Sequence, residues 1–201
     1  MQVATIATVS EQVRARHMKV FLDCVEAEEP SVRDALLGAL PAQDIALIRE
    51  TGPLGWLPAE VNARATEIVW AGLGPRAREA FFLRFGVATF GSTLLKPLVT
   101  GAMRLFGVAP GKILRWTPRA WAQIFRDGTR VSLTDVDAHA LRIRFDSLPR
   151  CLATAPGWME STACCVTALF DVIGRTGAAA VEERDPGKGV MVLRVRWQRG
   201  A

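Results

Sequence analysis

Apolar residues recur along this chain at two different periods, and the change from one to the other falls near residue 129. In the first stretch the spacing is helical. Val13, His17, Val20, Phe21, Cys24 and Val25 return at three- and four-residue intervals, predicting an amphipathic helix from about Ser10, its N-cap, to Glu28. "PSVRDALLGALPAQDIALIRE" predicts two short helices divided at Pro41, because proline cannot continue a helix without removing a hydrogen bond. A further helix is expected from near Pro58 to Gly72 or Gly74. Pro75 then opens the longest apolar stretch, reaching about Phe106 and kinked near Pro97. "APGKILRWTPRAWAQIFRDG" predicts two short helices, the second capped by Thr117, begun by Pro118 and stopped by Gly128.

After Gly128 the period falls to two. Val131, Leu133, Leu141, Ile143 and Phe145 alternate with polar residues, predicting a hairpin that turns over Asp135 to Ala138. A helix is expected from Ala155 to Thr176, stopped by Gly177, and then a second hairpin, Ala179–Arg184 with Val190–Gln198. Helices followed by hairpin, helix, hairpin imply an α+β fold: an N-terminal helical layer packed on a C-terminal four-stranded antiparallel sheet. Met191, Leu193, Val195 and Trp197 are its expected inner face.

At 201 residues, half of them apolar and 22% charged, the chain is expected to be one domain with a well-filled core. The helical part covers about 10–127 and the hairpin-helix-hairpin part about 129–198. The most apolar segment, Phe81–Val108, is cut by Arg84, Lys96 and Arg104, so no membrane span is expected. The opening residues lack the basic start and apolar run of a secretory signal, which points to the cytoplasm. Cys24, Cys151, Cys164 and Cys165 lack CxxC spacing and read as free thiols.

The net charge of +5 is local. Residues 104–150 hold nine basic and four acidic residues, and the remainder balances. Lys112, Arg115, Arg119 and Arg126 keep the spacing of one helix face, Arg142 and Arg144 share one side of a strand, and Trp116 and Trp121 lie among them. These residues form a candidate partner-binding surface, in competition with an ordinary solvated face, and Pro118 could divide it. No nucleic-acid-binding module is recognisable, so nucleic acid is not expected as a partner.

Candidate chemistry is sparse. Adjacent helical residues point about 100° apart, so Cys164 and Cys165 cannot line one surface; Cys165 falls on the buried stripe and Cys164 at its margin. Neither has a histidine or second cysteine at helical zinc spacing, and packing is the favoured role. His17 shares a helix face with Phe21 and Cys24, and a hydrogen-bonded core histidine is favoured there over a ligand. Asp135, Asp137 and His139 alternate as a metal site could, but a polar turn explains both aspartates. Trp70, Phe81, Phe85, Phe90 and Trp158 are candidates to line a pocket, where neighbouring glycines leave room. With no tyrosine, two histidines and no nucleophile-base pair, catalysis is not expected.

The segments "LPAQD", "GWLPAEVNARATEIV", "PRAWAQIFRDGTRVSL", "LRIRFDSLP", "GWMESTACCVTALFDVIGRTG" and "VLRVRW" resemble an uncharacterised group of myxobacterial paralogues related to the 4-vinyl reductase domain. That superfamily is similar in fold to TRAPP vesicle-tethering subunits and to haem nitric-oxide-binding domains. The resemblance implies a helical part on an antiparallel sheet with a pocket between them, used in ligand sensing or in assembly, often as a homodimer. The last hairpin lacks the cysteines common in vinyl-reductase domains, and the Pro75–Phe106 stretch lacks a histidine such as the haem-binding relatives use, so no cofactor can be named. The expectation is a non-enzymatic small-molecule-binding or sensor module, taking a hydrophobic ligand and regulating a protein partner in signalling. The alternative is a homodimeric assembly or scaffold protein whose basic surface meets an acidic partner or a membrane surface.

Overall fold

A computed structural model describes residues 11–126 and 128–198. The chain runs through β1 (Gln12–Arg14), α1 (Ala15–Glu26), α2 (Pro30–Ala39), α3 (Ala42–Glu50), β2 (Trp56–Pro58), α4 (Ala59–Gly72), α5 (Pro75–Gly91), α6 (Lys96–Phe106), α7 (Pro110–Leu114), α8 (Thr117–Ile124) and β3 (Phe125–Arg126). The C-terminal part is β4 (Arg130–Asp137), β5 (Ala140–Asp146), α9 (Arg150–Ala153), α10 (Pro156–Val172), β6 (Gly177–Asp185) and β7 (Val190–Trp197). The fold is α+β, with helices packed on a four-stranded antiparallel sheet of order β4-β5-β7-β6.

Strand register explains the inner face of that sheet. Leu141 faces Val195, Ile143 faces Leu193 and Phe145 faces Met191 across β5 and β7, and all six are buried. Alternation puts their neighbours outside, where Glu182 accepts hydrogen bonds from both Arg142 and Arg194. Trp197, expected on the inner face, is half-buried and packs against Gly111 at the strand's end. Helix α10 covers the β6 edge, where the Ala179 N–H donates to Thr167 Oγ1 at 2.9 Å.

A second sheet, order β2-β1-β3, corrects the sequence reading. Val13 belongs to a strand and not to the first helix, pairing with Leu57 on one side and Phe125 on the other. Strands of two or three residues are too short to display an alternation, and their partners lie far away in sequence. The expected N-cap, Ser10, lies outside the described residues.

Three boundaries also move. The long apolar stretch is two helices, α5 and α6, separated at Ser92–Leu95. Helix α8 starts at Thr117, whose hydroxyl donates back to the Leu114 carbonyl at 2.6 Å instead of capping, and ends at Ile124 before Gly128 is reached. Helix α10 ends at Val172, and its stop is Gly174, with φ +64°, not Gly177. Gly177 opens β6 instead, where a β-carbon would collide with the Phe170 ring. Among the described residues no helix is long and apolar enough to cross a membrane.

Candidate functional site

The two layers do not close completely where α1, α4, α5 and α10 meet the sheet. Between them lies a cavity of about 120 Å³. Its wall is aromatic: Trp121 stacks on Phe125 with ring centroids 4.3 Å apart, stands 4.9 Å from Phe145, and meets Trp158 edge-on at 6.0 Å. No lysine, arginine, aspartate or glutamate among the described residues lines it.

The polar groups on this wall divide into satisfied and unsatisfied ones. Asn62 Oδ1 accepts the Trp158 indole N–H at 2.7 Å, while its Nδ2 donates to the Met18 sulfur at 3.0 Å. Ser161 and Thr162 both donate their hydroxyls to the Trp158 carbonyl, at 2.7 and 2.9 Å. By contrast, the buried Nδ1 of His17 and the buried Oγ1 of Thr89 have no hydrogen-bond partner among the described residues. Burial lowers the His17 pKa to about 4, so the imidazole is neutral near pH 7. Its ring leans on Phe85, with centroids 4.9 Å apart, and Thr89 lies one helical turn beyond Phe85 on α5.

Of the pocket candidates read from sequence, Phe85, Phe90 and Trp158 line the cavity, while Trp70 and Phe81 do not. Phe81 is fully buried between Phe21 and Phe82. Trp70 fills the notch at Gly157, where a β-carbon would lie 2.6 Å from its ring. The sequence reading assigned no pocket role to Asn62, Thr66 and Thr89, three small polar residues on helical stripes. His17, expected as a hydrogen-bonded core residue, is buried, and its Nδ1 has no partner among the described residues.

The cysteines are held as thiols. Burial, reinforced by Glu79 and Glu160, raises Cys164 to about 11, and burial drives Cys165 higher still. Cys165 lines the cavity and its Sγ lies 3.9 Å from the Phe82 carbonyl. Glu11, Glu60 and Cys151 bring ligand atoms within 4.8 Å of one another, a juxtaposition not anticipated from sequence because three distant segments contribute. Burial, with Glu60 and Glu11 adding to it, raises the Cys151 thiol to about 11. At the other proposed cluster, Asp137 Oδ1 accepts the His139 backbone N–H in a turn, and Asp135 pairs with Arg115.

The basic residues do not form one stripe. Lys112 is on α7, Arg119 on α8 and Arg126 on β3, and the helix breaks at Arg115–Trp116, ahead of Pro118. Arg115, Arg142 and Arg144 are engaged by Asp135, Glu182 and Asp146. The Arg119 guanidinium sits 4.7 Å from the Trp116 ring centroid, and Arg126 sits 4.5 Å from that of Trp56.

No family model matches this sequence, and no curated protein does. Solved structures do match. An Fe(II) unliganded H-NOX protein from K. algicida superposes with a TM-score of 0.62 at 9% identity, over 93% of this chain and 97% of that one. An oxygen-binding H-NOX domain related to soluble guanylate cyclases gives 0.61 at 9% identity, over 92% and 95%. A structure from a study of haem distortion in the H-NOX family gives 0.60 at 10% identity, over 94% and 96%. The likeness is one of fold. It agrees with the haem nitric-oxide-binding-like fold implied by the sequence resemblance. None of these matches supports the finer link to 4-vinyl reductase domains or to the paralogue group.

Proposed function

We propose that this chain is a non-enzymatic sensor module, acting as one domain, in which a hydrophobic small molecule in the cavity biases the binding of a protein partner. The observation that carries this reading is the cavity itself, walled mostly by apolar and aromatic side chains, with no charged side chain among the described residues lining it. The reading as a non-enzyme is supported by thiols held far from ionisation and by a cavity wall on which, among the described residues, no charged side chain stands beside His17.

The structural neighbours are described as haem- or oxygen-binding, so haem must be tested against this site. It does not fit. Ligand pockets for molecules of drug size run from about 300 to 1,000 Å³, and this cavity is about 120 Å³. Haem also carries two propionates, and no cationic side chain among the described residues lines the cavity to receive them. Ligand binding is tested by native mass spectrometry of the purified protein and by thermal shift against a panel of neutral apolar molecules. Stabilisation by a compact ligand is expected, and a Soret band with full haem stoichiometry would overturn the exclusion of haem.

A second reading, assembly through the basic surface, is favoured by Arg119 over Trp116 and by Arg126 over Trp56, side-chain types common in binding hot spots. The ion pairs of Arg115, Arg142 and Arg144 weaken it, since they neutralise half of the six candidates. Charge reversal at Arg119 and Arg126 should abolish capture of an acidic partner if this surface is used.

A further inference from the structure

We infer that the cleft between the end of α6 and the end of the large sheet is a docking site for a protein partner, which sets an apolar side chain against Phe106 and Trp197 and a carboxylate on Arg175. This inference rests on the reading of the chain as a module that binds a protein partner, and it names the surface and the chemistry of the contact.

The cleft, of about 400 Å³, is walled by Phe106 and Val108 at and just after the end of α6, by His139 from the β4–β5 turn, by Arg175 from the turn before β6 and by Trp197 at the end of β7. Hydrogen bonds tie these walls together. The Trp197 N–H donates to the His139 carbonyl at 3.0 Å, the Gln198 N–H to the Thr176 carbonyl at 3.0 Å, and Arg175 Nε to the Val108 carbonyl at 3.4 Å. A site formed in advance loses less freedom when a partner docks.

Charge selects an acidic partner. No acidic side chain among the described residues lines the cleft, and none of them pairs with Arg175. Only its Nε is engaged. Its Nη1 and Nη2 have no acceptor among the described residues and are not buried, so they offer the two-pronged donor that a carboxylate accepts. The stretch Ala80 to Arg126, which supplies the Phe106 wall, holds seven basic residues and no acidic one, so the charge bias extends past the cleft. Phe106 also meets the Trp116 ring, 6.3 Å away, and Trp116 carries the exposed Arg119.

Shape and apolar exposure select a protein. Leu105 and Phe106, 69% and 39% exposed, are consecutive, whereas Leu47, Leu54 and Val87, the other exposed large hydrophobics among the described residues, stand singly in sequence. An apolar patch that continues beyond the cleft is wider than a small molecule covers, and a concave cleft does not match a flat lipid surface. Arginine, tryptophan and phenylalanine are also enriched in protein interfaces.

Panning a displayed random-peptide library on the full chain, followed by anisotropy titration of an enriched peptide, tests the site. Enriched peptides should combine aspartate or glutamate with a leucine or an aromatic residue. Arg175→Gln should weaken their binding about tenfold, the worth of a hydrogen bond between charged groups, and Phe106→Ser should weaken it at least as much. Both side chains reach the surface, and circular dichroism checks that the variants fold. No enrichment, enrichment of peptides without acids, or acidic peptides that bind both variants as tightly as the native chain overturns the assignment. If such peptides are lost instead on Arg126→Glu, the partner reading stands and only this placement falls. Benzoate binding in the cleft with the affinity of the peptides would make it a small-molecule site. Sedimentation with phosphatidylserine but not phosphatidylcholine vesicles, lost in Phe106→Ser, would make it a lipid site, and either result overturns the inference.

Discussion

Gly86 of α5 and Ala168 of α10 approach so closely that a β-carbon on Gly86 would lie 2.6 Å from the Ala168 β-carbon and 2.9 Å from the Cys165 α-carbon. The obstacle is partly backbone, so it cannot be relieved by a side-chain rotation. Gly86→Ala should therefore push the two helices apart and lower stability by about 1–3 kcal/mol. Urea denaturation measures this, and an unchanged midpoint would show that the helices separate freely.

The Trp158–Asn62 hydrogen bond lies buried between α10 and α4. Asn62→Leu leaves the indole N–H without its acceptor, and Trp158→Phe leaves the amide oxygen without its donor, so each should cost about 1–3 kcal/mol. The double variant has no stranded group. Its loss should be smaller than the sum of the two single losses, and strict additivity in a double-mutant cycle would count against a direct bond.

His17 predicts a pH dependence. Its pKa is depressed by burial from 6.5 to about 4 in the folded protein, so the unfolded chain binds more protons between these values. The contribution is fully present above pH 6.5 and is lost as pH falls through 4, amounting to about 3 kcal/mol. His17→Leu should flatten this part of the stability profile. An equally steep profile in the variant would assign the dependence to other groups.

The thiols should be inert in the native state. With pKa values of about 11 for Cys24, Cys151 and Cys164, and higher for Cys165, the thiolate fraction at neutral pH is about one in ten thousand. Iodoacetamide labelling followed by mass spectrometry should require denaturant. Modification of native Cys164 within minutes would contradict its burial.

Glu182 holds Arg142 and Arg194 on the outer sheet face, and those hydrogen bonds lower its pKa to about 2. Because this network is on the surface, Glu182→Gln should leave stability nearly unchanged in thermal melts. A large drop would show that the two arginines repel strongly once their shared carboxylate is gone.

The sequence by itself determined the helices, the hairpin-helix-hairpin order and the inner face of the large sheet. Periodicity is a local property, and burial of one face of a long element imposes it directly, as Leu141, Ile143 and Phe145 show against Val195, Leu193 and Met191. Only the tertiary structure decided the rest. The small sheet joins Val13 to Leu57 and Phe125, pairings too short and too distant to leave a pattern. Likewise, whether a buried polar side chain is satisfied depends on what stands opposite it. Asn62 finds an indole N–H, while His17 Nδ1 and Thr89 Oγ1, from different helices, find no partner among the described residues.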